Sequence, residues 1–338
     1  MVEYIKGQEE HHKKISFAAR CVSAKLTRMI KRLQHFGVTV SDDKISGRFY
    51  SKIMGFPGLG SMAQEPEKSL IGKHLGAPKV KISWHQRGYG AVELFSFPEV
   101  KRDKLPIEKK DTTAIGAGRL AFRTRSLDKF RENLSRNDVL FETGKDTWGQ
   151  AHLSFSDPDG VAISVYGGGA GGIELEKATI NVISLDESVS FYKNLLGLAE
   201  VEEKSILDFR EISPASSYKG PARVAKLGIN GKGVELIEFS GIDRSGAQVW
   251  FPDPRGTFDV KYPEVGIKHV CFQAINTRAW ADELKSQGVR IIMGPAREPT
   301  TLWVTYLLDP NGAVVELYDL SGFLTELMKY VSMAAARI

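Results

Sequence analysis

One phrase occurs twice in this 338-residue chain and fixes much of what the chain can become. Tyr306 to Leu320 reads YLLDPNGAVVELYDL, and Phe155 to Gly167 reads FSDPDGVAISVYG. In each, an apolar run enters an Asp-Pro-x-Gly turn and an alternating run leaves it. Proline cannot continue a ladder and glycine accepts the positive φ of a tight turn, so each phrase predicts strand, hairpin turn, strand. In the later copy, alternation puts Glu316 on one face with Val314 and Tyr318. A carboxylate sharing a face with core residues needs a partner, a proton or a metal. The earlier copy has Ser164 where Glu316 stands.

The repeat extends outward from these turns. Leu33 to Val40 predicts a short alternating strand, Ser41-Asp42-Asp43 a helix cap, and the following residues a helix carrying Phe49, Tyr50 and Ile53 that stops at Gly55. From Ile180, INVISLDESVSFYKNLLGL repeats this order, with Asp186 near the cap, the pair Phe191-Tyr192, and Gly197. GRLAFRTRSLDKFRENLSRNDV and KHVCFQAINTRAWADELKSQGV keep strand then helix without the Phe-Tyr pair, and match without a gap when Val139 is laid on Val289. Each unit closes in further strands. The expected architecture is α+β: four βαβββ modules at roughly 30–100, 115–167, 175–240 and 264–320, forming two half-barrel domains. Pro- and Gly-rich joints around Leu105-Pro106, Gly167 to Gly172 and Phe251 to Pro263 separate them. The expected organisation is an N-terminal extension (1–28), a domain of two modules (29–170), a second of two modules (171–325) and a C-terminal tail (326–338) closing in a helix.

Composition narrows the function classes. At 42% hydrophobic and 26% charged residues, the chain has the balance of a soluble globular protein. No apolar run approaches the ~18 residues of a membrane span. Cys21 and Cys271 make neither a disulfide framework nor a zinc spacing, so a cytoplasmic setting is expected. The net charge of +5 resides wholly in the first 33 residues, where eight Lys/Arg face three Asp/Glu, and the remainder is balanced. That distribution gives the body of the chain no nucleic-acid-binding character.

The opening segment has no register with the repeats. Its GQEEHHKKISF resembles the closing phrase of small REP-associated tyrosine transposases, but without a catalytic motif no activity follows. The functional protein is expected to start at Met29, with the preceding 28 residues a fusion remnant or misplaced start.

Four βαβββ modules, Phe-Tyr pairs and a terminal Asp-Pro-x-Gly…Glu-Leu-Tyr together resemble the vicinal oxygen chelate superfamily. That group includes glyoxalase I, extradiol dioxygenases, methylmalonyl-CoA epimerase and bleomycin-resistance proteins. The resemblance implies metal ligands at a His (or Gln) on a module's first strand and a Glu on its last, completed by a facing module. The first module has His35 and Glu93 at these positions and the fourth His269 and Glu316. The second has Arg119 and Ser164, the third Lys177 or Ala178 with Glu235. Pairing of neighbouring modules, as in the dioxygenases, leaves no complete set. Pairing of the first with the fourth, as in single-chain glyoxalases, brings two imidazoles and two carboxylates together, and is the arrangement expected here. The middle modules would then form a dead site in which Arg119 and Glu235 could pair as a salt bridge.

The implied cofactor is one divalent metal ion: Zn, Ni, Co, Mn or Fe. Such an ion can hold two adjacent substrate oxygens and stabilise an enediolate while a ligand carboxylate moves the proton. Glu316 is the candidate base and Glu93 its pseudo-symmetric counterpart. Glutathione-dependent glyoxalase chemistry fits imperfectly, because Phe97, Val265 and Val314 stand where that pattern has Asn, Arg and Trp. The implied activity is therefore a glyoxalase-like lyase or isomerase acting on a small molecule other than a glutathione adduct. Two alternatives stay open. Tyr306, Asp309, Pro310, Gly312 and Glu316 match the extradiol signature, although the third-module His is replaced by Lys177-Ala178 and the acid-base His is missing between Pro295 and Thr305. A bleomycin-resistance type of binding protein needs a cavity and no metal. His85 and His152 are expected in a cavity or on the surface, and Asp157 and Asp309 as turn formers. Both clefts can close within one chain, so a monomer or a homodimer is expected.

Overall fold

The structure is a computed structural model that describes residues 29–64, 79–99, 113–209, 218–242, 265–297, 303–319 and 322–336. The N-terminal extension and most of the joints at Leu105-Pro106 and Phe251 to Pro263 lie outside these residues. Module one comprises β1 (Ile30–Thr39), α1 (Asp43–Arg48), β2 (Gly58–Gln64), β3 (Val80–Arg87) and β4 (Gly90–Ser96). Module two comprises β5 (Gly116–Arg123), α2 (Leu127–Arg136), β6 (Glu142–Lys145), β7 (Ala151–Ser156) and β8 (Ala162–Tyr166). Module three comprises β9 (Glu174–Val182), α3 (Leu185–Ser190), β10 (Glu200–Ile206), β11 (Ala222–Ile229) and β12 (Lys232–Phe239). Module four comprises β13 (Gly266–Ala274), α4 (Thr277–Ser286), β14 (Ile291–Ala296), β15 (Trp303–Leu308) and β16 (Val314–Asp319), and α5 (Gly322–Ala335) follows.

Two eight-stranded sheets result, in the orders β14-β15-β16-β13-β1-β4-β3-β2 and β10-β11-β12-β9-β5-β8-β7-β6. Modules one and four therefore share one sheet, and modules two and three the other. The joins are the first strands, with β1 antiparallel to β13 and β5 antiparallel to β9. This position explains a difference from the sequence expectation. Alternation predicts a half-buried strand at Leu33 to Val40, yet nearly all of β1 is buried, because both its edges are paired and both its faces are covered. Phe36 of the first sheet meets Phe122 of the second edge to face at 5.7 Å, within one apolar core. Burial of side chains of this size contributes about 1.5–3 kcal/mol each.

The Phe-Tyr pairs do not continue a regular helix. Asp42 caps α1, its side chain accepting from the Lys44 and Ile45 amides, while Ser184 caps α3 with Asp186 in the first turn, near the cap as expected. Phe49–Ile53 and Phe191–Leu195 then widen into π-helical turns, closed by Met54 N–H to Phe49 O at 3.0 Å and Leu196 N–H to Phe191 O at 3.1 Å. The wider turns point Tyr50 and Tyr192 across to the neighbouring module. The Tyr50 hydroxyl donates to Asp157 Oδ2 (3.0 Å) and that of Tyr192 to Asp309 Oδ2 (3.2 Å). Asp157 and Asp309 form turns as expected, each Oδ1 accepting two amides of its own turn. The second oxygen fastens module one to two and module three to four, so sheet joins and Tyr–Asp joins alternate around the molecule.

Candidate metal centre

The first sheet's central strands determine what can meet. In the β1–β13 ladder His35 lies opposite Cys271 and Gly37 opposite His269. Glu93 lies beside Gly37 on β4, and Glu316 beside Cys271 on β16. The two modules thus contribute equivalent His–Glu pairs about a pseudo-twofold axis. Register shifts between Leu33 and His35 and between Gly37 and Val38 flank the site. Such bulges re-aim side chains.

The side chains converge. His35 Nε2 and His269 Nε2 lie 2.9 Å apart, and Glu316 Oε2 is 2.9 Å from each. Glu93 Oε2 lies 3.3 Å from His35 Nε2 and 3.5 Å from His269 Nε2. One donor atom from each of the four residues falls within 4.8 Å of all the others. All four residues are largely buried. Aromatic rings hold the imidazoles: Trp84 and Tyr318 meet His35 edge on, and Phe95 and Tyr306 meet His269.

The four groups set one another's ionisation. Burial works against ionisation of Glu316, but the two imidazoles outweigh it and hold the carboxyl far below its usual range. Glu93 is lowered in the same way, burial being overcome chiefly by the adjacent His269 and His35 imidazoles. Burial alone would depress both imidazoles, yet their acidic surroundings raise His269 and raise His35 strongly. Glu93 Oε2 and Glu316 Oε2 remain buried without a hydrogen bond of normal geometry. Two imidazole nitrogens and two such carboxylate oxygens aimed at one point fit a divalent ion of the borderline kind.

Gly37 is the residue whose importance the sequence reading missed. A Cβ built there would overlap the His269 ring, lying 2.5 Å from Nε2. The absence of a side chain two positions beyond His35 therefore makes room for the second imidazole.

The same register in the second sheet holds a different chemistry. Ala121 lies opposite Lys177 and Arg119 opposite Thr179, with Ser164 beside Ala121 and Glu235 beside Thr179. Arg119, Lys177, Ser164 and Glu235 thus occupy the places of His35, His269, Glu93 and Glu316. The expected Arg119–Glu235 pair is corrected. Lys177 Nζ bonds Glu235 Oε1 at 2.6 Å and lies 3.5 Å from Asp146, while Arg119 bonds Ser164 Oγ at 3.3 Å. Glu235 also accepts from Trp148 Nε1 (3.0 Å) and Thr179 Oγ1 (3.3 Å). Lys177 reaches the carboxylate from the paired strand itself, so an ammonium fills the position between the ligand strands. His85 is buried in contact with Ser51 and the Phe56 carbonyl, and burial lowers its pKa. His152 is buried on the second sheet.

Comparison with known proteins agrees with this architecture. The family model described as Glyoxalase/Bleomycin resistance protein/Dioxygenase superfamily matches residues 32–165 and 174–317. Glyoxalase I from Zea mays is similar over 88% of this chain and 95% of its own, with 20% identity and a TM-score of 0.60. A putative dioxygenase from Bacillus subtilis is similar over 87% of this chain and 86% of its own, with 12% identity and a TM-score of 0.57. At these identities the likeness is one of fold. The uncharacterized protein YaeR of Escherichia coli strain K12 is 28% identical over 140 residues, which are 40% of this chain and 96% of that protein. Matched over both halves, with four βαβββ modules in two sheets, the chain belongs to the glyoxalase/bleomycin resistance/dioxygenase superfamily, the vicinal oxygen chelate group.

Proposed function

We propose that this protein is a divalent-metal-dependent enzyme of glyoxalase-like lyase or isomerase type. Its substrate is a small molecule with two adjacent oxygens, and it works without glutathione. The observation that carries this proposal is the convergence of His35, Glu93, His269 and Glu316 from two modules onto one point. These four residues would hold the ion. When bound, the ion supplies Lewis acidity that polarises the substrate's oxygens and acidifies the adjacent C–H.

The protein's own part is proton movement and orientation. Glu316 is the proposed base, moving a proton between adjacent substrate carbons, and Glu93 serves the opposite face by pseudo-symmetry. Trp84 and Tyr318, stacked at 22°, and Tyr306 beside His269 give the site aromatic walls that exclude water. Phe97, Val265 and Val314 are buried and apolar, which supports a substrate less anionic than a glutathione adduct.

An Fe(II) extradiol dioxygenase is the second reading, favoured by Tyr306 lying opposite Glu316 in the β15–β16 ladder. The two are separated by loading the protein with each candidate metal. Solvent deuterium exchange into 2-oxoaldehydes and epimerisable acids is then followed by NMR, and oxygen uptake with catechols in parallel. The proposal expects exchange that Glu316→Gln abolishes and no oxygen uptake. Oxygen uptake would replace it with the dioxygenase, and neither activity would leave a small-molecule binding protein.

A further inference from the structure

On the proposed function, in which His35 is a metal ligand, we infer that Gln34 is a positioning residue of the centre. Its side-chain carbonyl holds the Nδ1–H of His35 and so presents Nε2 to the point shared with Glu93, His269 and Glu316. The two ligand imidazoles are then unequal, because only one of them is oriented by a hydrogen bond from the residue before it.

Neighbouring side chains on a regular strand point to opposite faces and do not meet. β1 breaks that rule at Gln34. Leu33 lies opposite Phe272 and His35 opposite Cys271, so two steps along β1 span one step along β13, and Gln34 is the extra residue of a bulge. The bulge brings the Gln34 side chain back to the His35 ring, where Nδ1–H donates to Gln34 Oε1. Both residues are buried, so water competes little for the bond. A carbonyl oxygen only accepts, which keeps the hydrogen on Nδ1. Nε2 is the nitrogen left for the centre, and it lies 2.9 Å from Glu316 Oε2 and 3.3 Å from Glu93 Oε2. An imidazole held at its far nitrogen has its tautomer and ring plane set before an ion arrives.

The bulge belongs to the fold, but the glutamine in it does not. The same register shift puts Lys268 in the bulge of β13, Gly118 in that of β5 and Glu176 in that of β9, directly before His269, Arg119 and Lys177. Gly118 has no side chain, and Glu176 accepts from Arg123 Nε at 2.7 Å. Lys268 carries only donors, so it cannot accept from His269. Packing holds His269 instead, its ring lying against Gly37, Phe95 and Tyr306. Module one therefore offers a ligand oriented by hydrogen bonding, and module four one oriented by contact.

The test compares the full wild-type chain with Gln34→Met, which keeps the side-chain length without the carbonyl, and Gln34→Glu, which keeps an acceptor oxygen. Zn²⁺ affinity is measured by chelator competition. NMR of isotope-labelled histidine, in the metal-free and Zn²⁺-loaded protein, reports which ring nitrogen carries the hydrogen and how fast it exchanges. A slowly exchanging His35 Nδ1–H is expected in wild type and Gln34→Glu, and its loss in Gln34→Met. Gln34→Met should bind Zn²⁺ about 10- to 100-fold more weakly, and Gln34→Glu as tightly as wild type or more so. Zn²⁺ on His35 Nδ1, an Nδ1–H in wild type that exchanges freely, or equal affinity in wild type and Gln34→Met would overturn the inference. The first two outcomes are read on wild-type protein, so they decide the matter even where Gln34→Met folds poorly. A wild type that binds no divalent ion would remove the proposed function, whereas the Nδ1–H of the metal-free protein still decides whether Gln34 orients the ring.

Discussion

Gly37→Ala is the smallest change that should separate the metal centre from the fold. The added Cβ would lie 2.5 Å from His269 Nε2, against ~3.5–4.0 Å for an ordinary non-bonded contact, so about 1 Å of overlap must be relieved. The strands cannot part easily, because Gly37 is paired on both sides, with His269 on β13 and Glu93 on β4. The imidazole must therefore turn away from the point it shares with His35 and Glu316. Overpacking of this kind costs about 1–3 kcal/mol. In the second sheet Ala121 occupies the equivalent register opposite Lys177, so the ladder itself accepts a Cβ there. The expected result is a folded variant that melts a few degrees lower. Its metal affinity should fall by about 10- to 100-fold or more, since misplacing a ligand is at least as damaging as losing the partner that orients it. Thermal melts with and without added Zn²⁺, together with metal analysis, provide the assay. Gly118→Ala, whose Cβ would meet Asn181 at an ordinary 3.7 Å, is the control. Wild-type metal content and an undiminished metal-dependent rise in melting temperature for Gly37→Ala would refute the reasoning.

Two further expectations concern stability. Lys177→Met strands Glu235 as a buried charge still held by Trp148 and Thr179, and should cost about 3–5 kcal/mol in denaturant unfolding; adding Glu235→Gln should recover much of that, and full additivity of the two losses would contradict the pairing. Burial pushes the carboxyls of Asp157 and Asp309 up to about 6, so between roughly pH 4 and 6 the fold holds protons that the unfolded chain has released. Their contribution, on the order of 3 kcal/mol each, is full below about pH 4 and is lost as pH rises through 6. Asp157→Asn and Asp309→Asn should accordingly flatten the stability profile across that window relative to wild type, and an unchanged slope would count against the assignment.

The parts legible in the sequence were those written locally and then repeated. The Asp-Pro-x-Gly turns and the strand-helix order were visible because each occupies a fixed place within its unit, and the family resemblance then pointed to the His and Glu at matching module positions. The distribution of those donors also selected the pairing of module one with module four, which the strand order shows. What escaped were relations between modules. Sequence left Lys177 or Ala178 as the third module's first-strand position, and only the register assigns Lys177 to the place of His269 and gives it Glu235. The Phe-Tyr pairs were visible as a repeat, but their join to the turn aspartates depends on π-helical turns that no apolar spacing announces. Gly37 carried its information as a missing side chain, noticeable only once the opposing strand is known. Trp148 belongs to a hairpin distant in sequence from Glu235, so its bond could not be read from either segment.

On the proposed function, one divalent ion is held jointly by the first and fourth modules. Mass-spectrometric metal analysis of the purified chain, with His35→Ala and His269→Ala alongside, tests it most directly. The expected result is about one ion per wild-type chain, lost from both variants while their circular dichroism stays that of a folded protein. Metal retained in either variant, or no metal bound by the wild type after incubation with Zn²⁺, Ni²⁺, Co²⁺, Mn²⁺ and Fe²⁺ in turn, would contradict it.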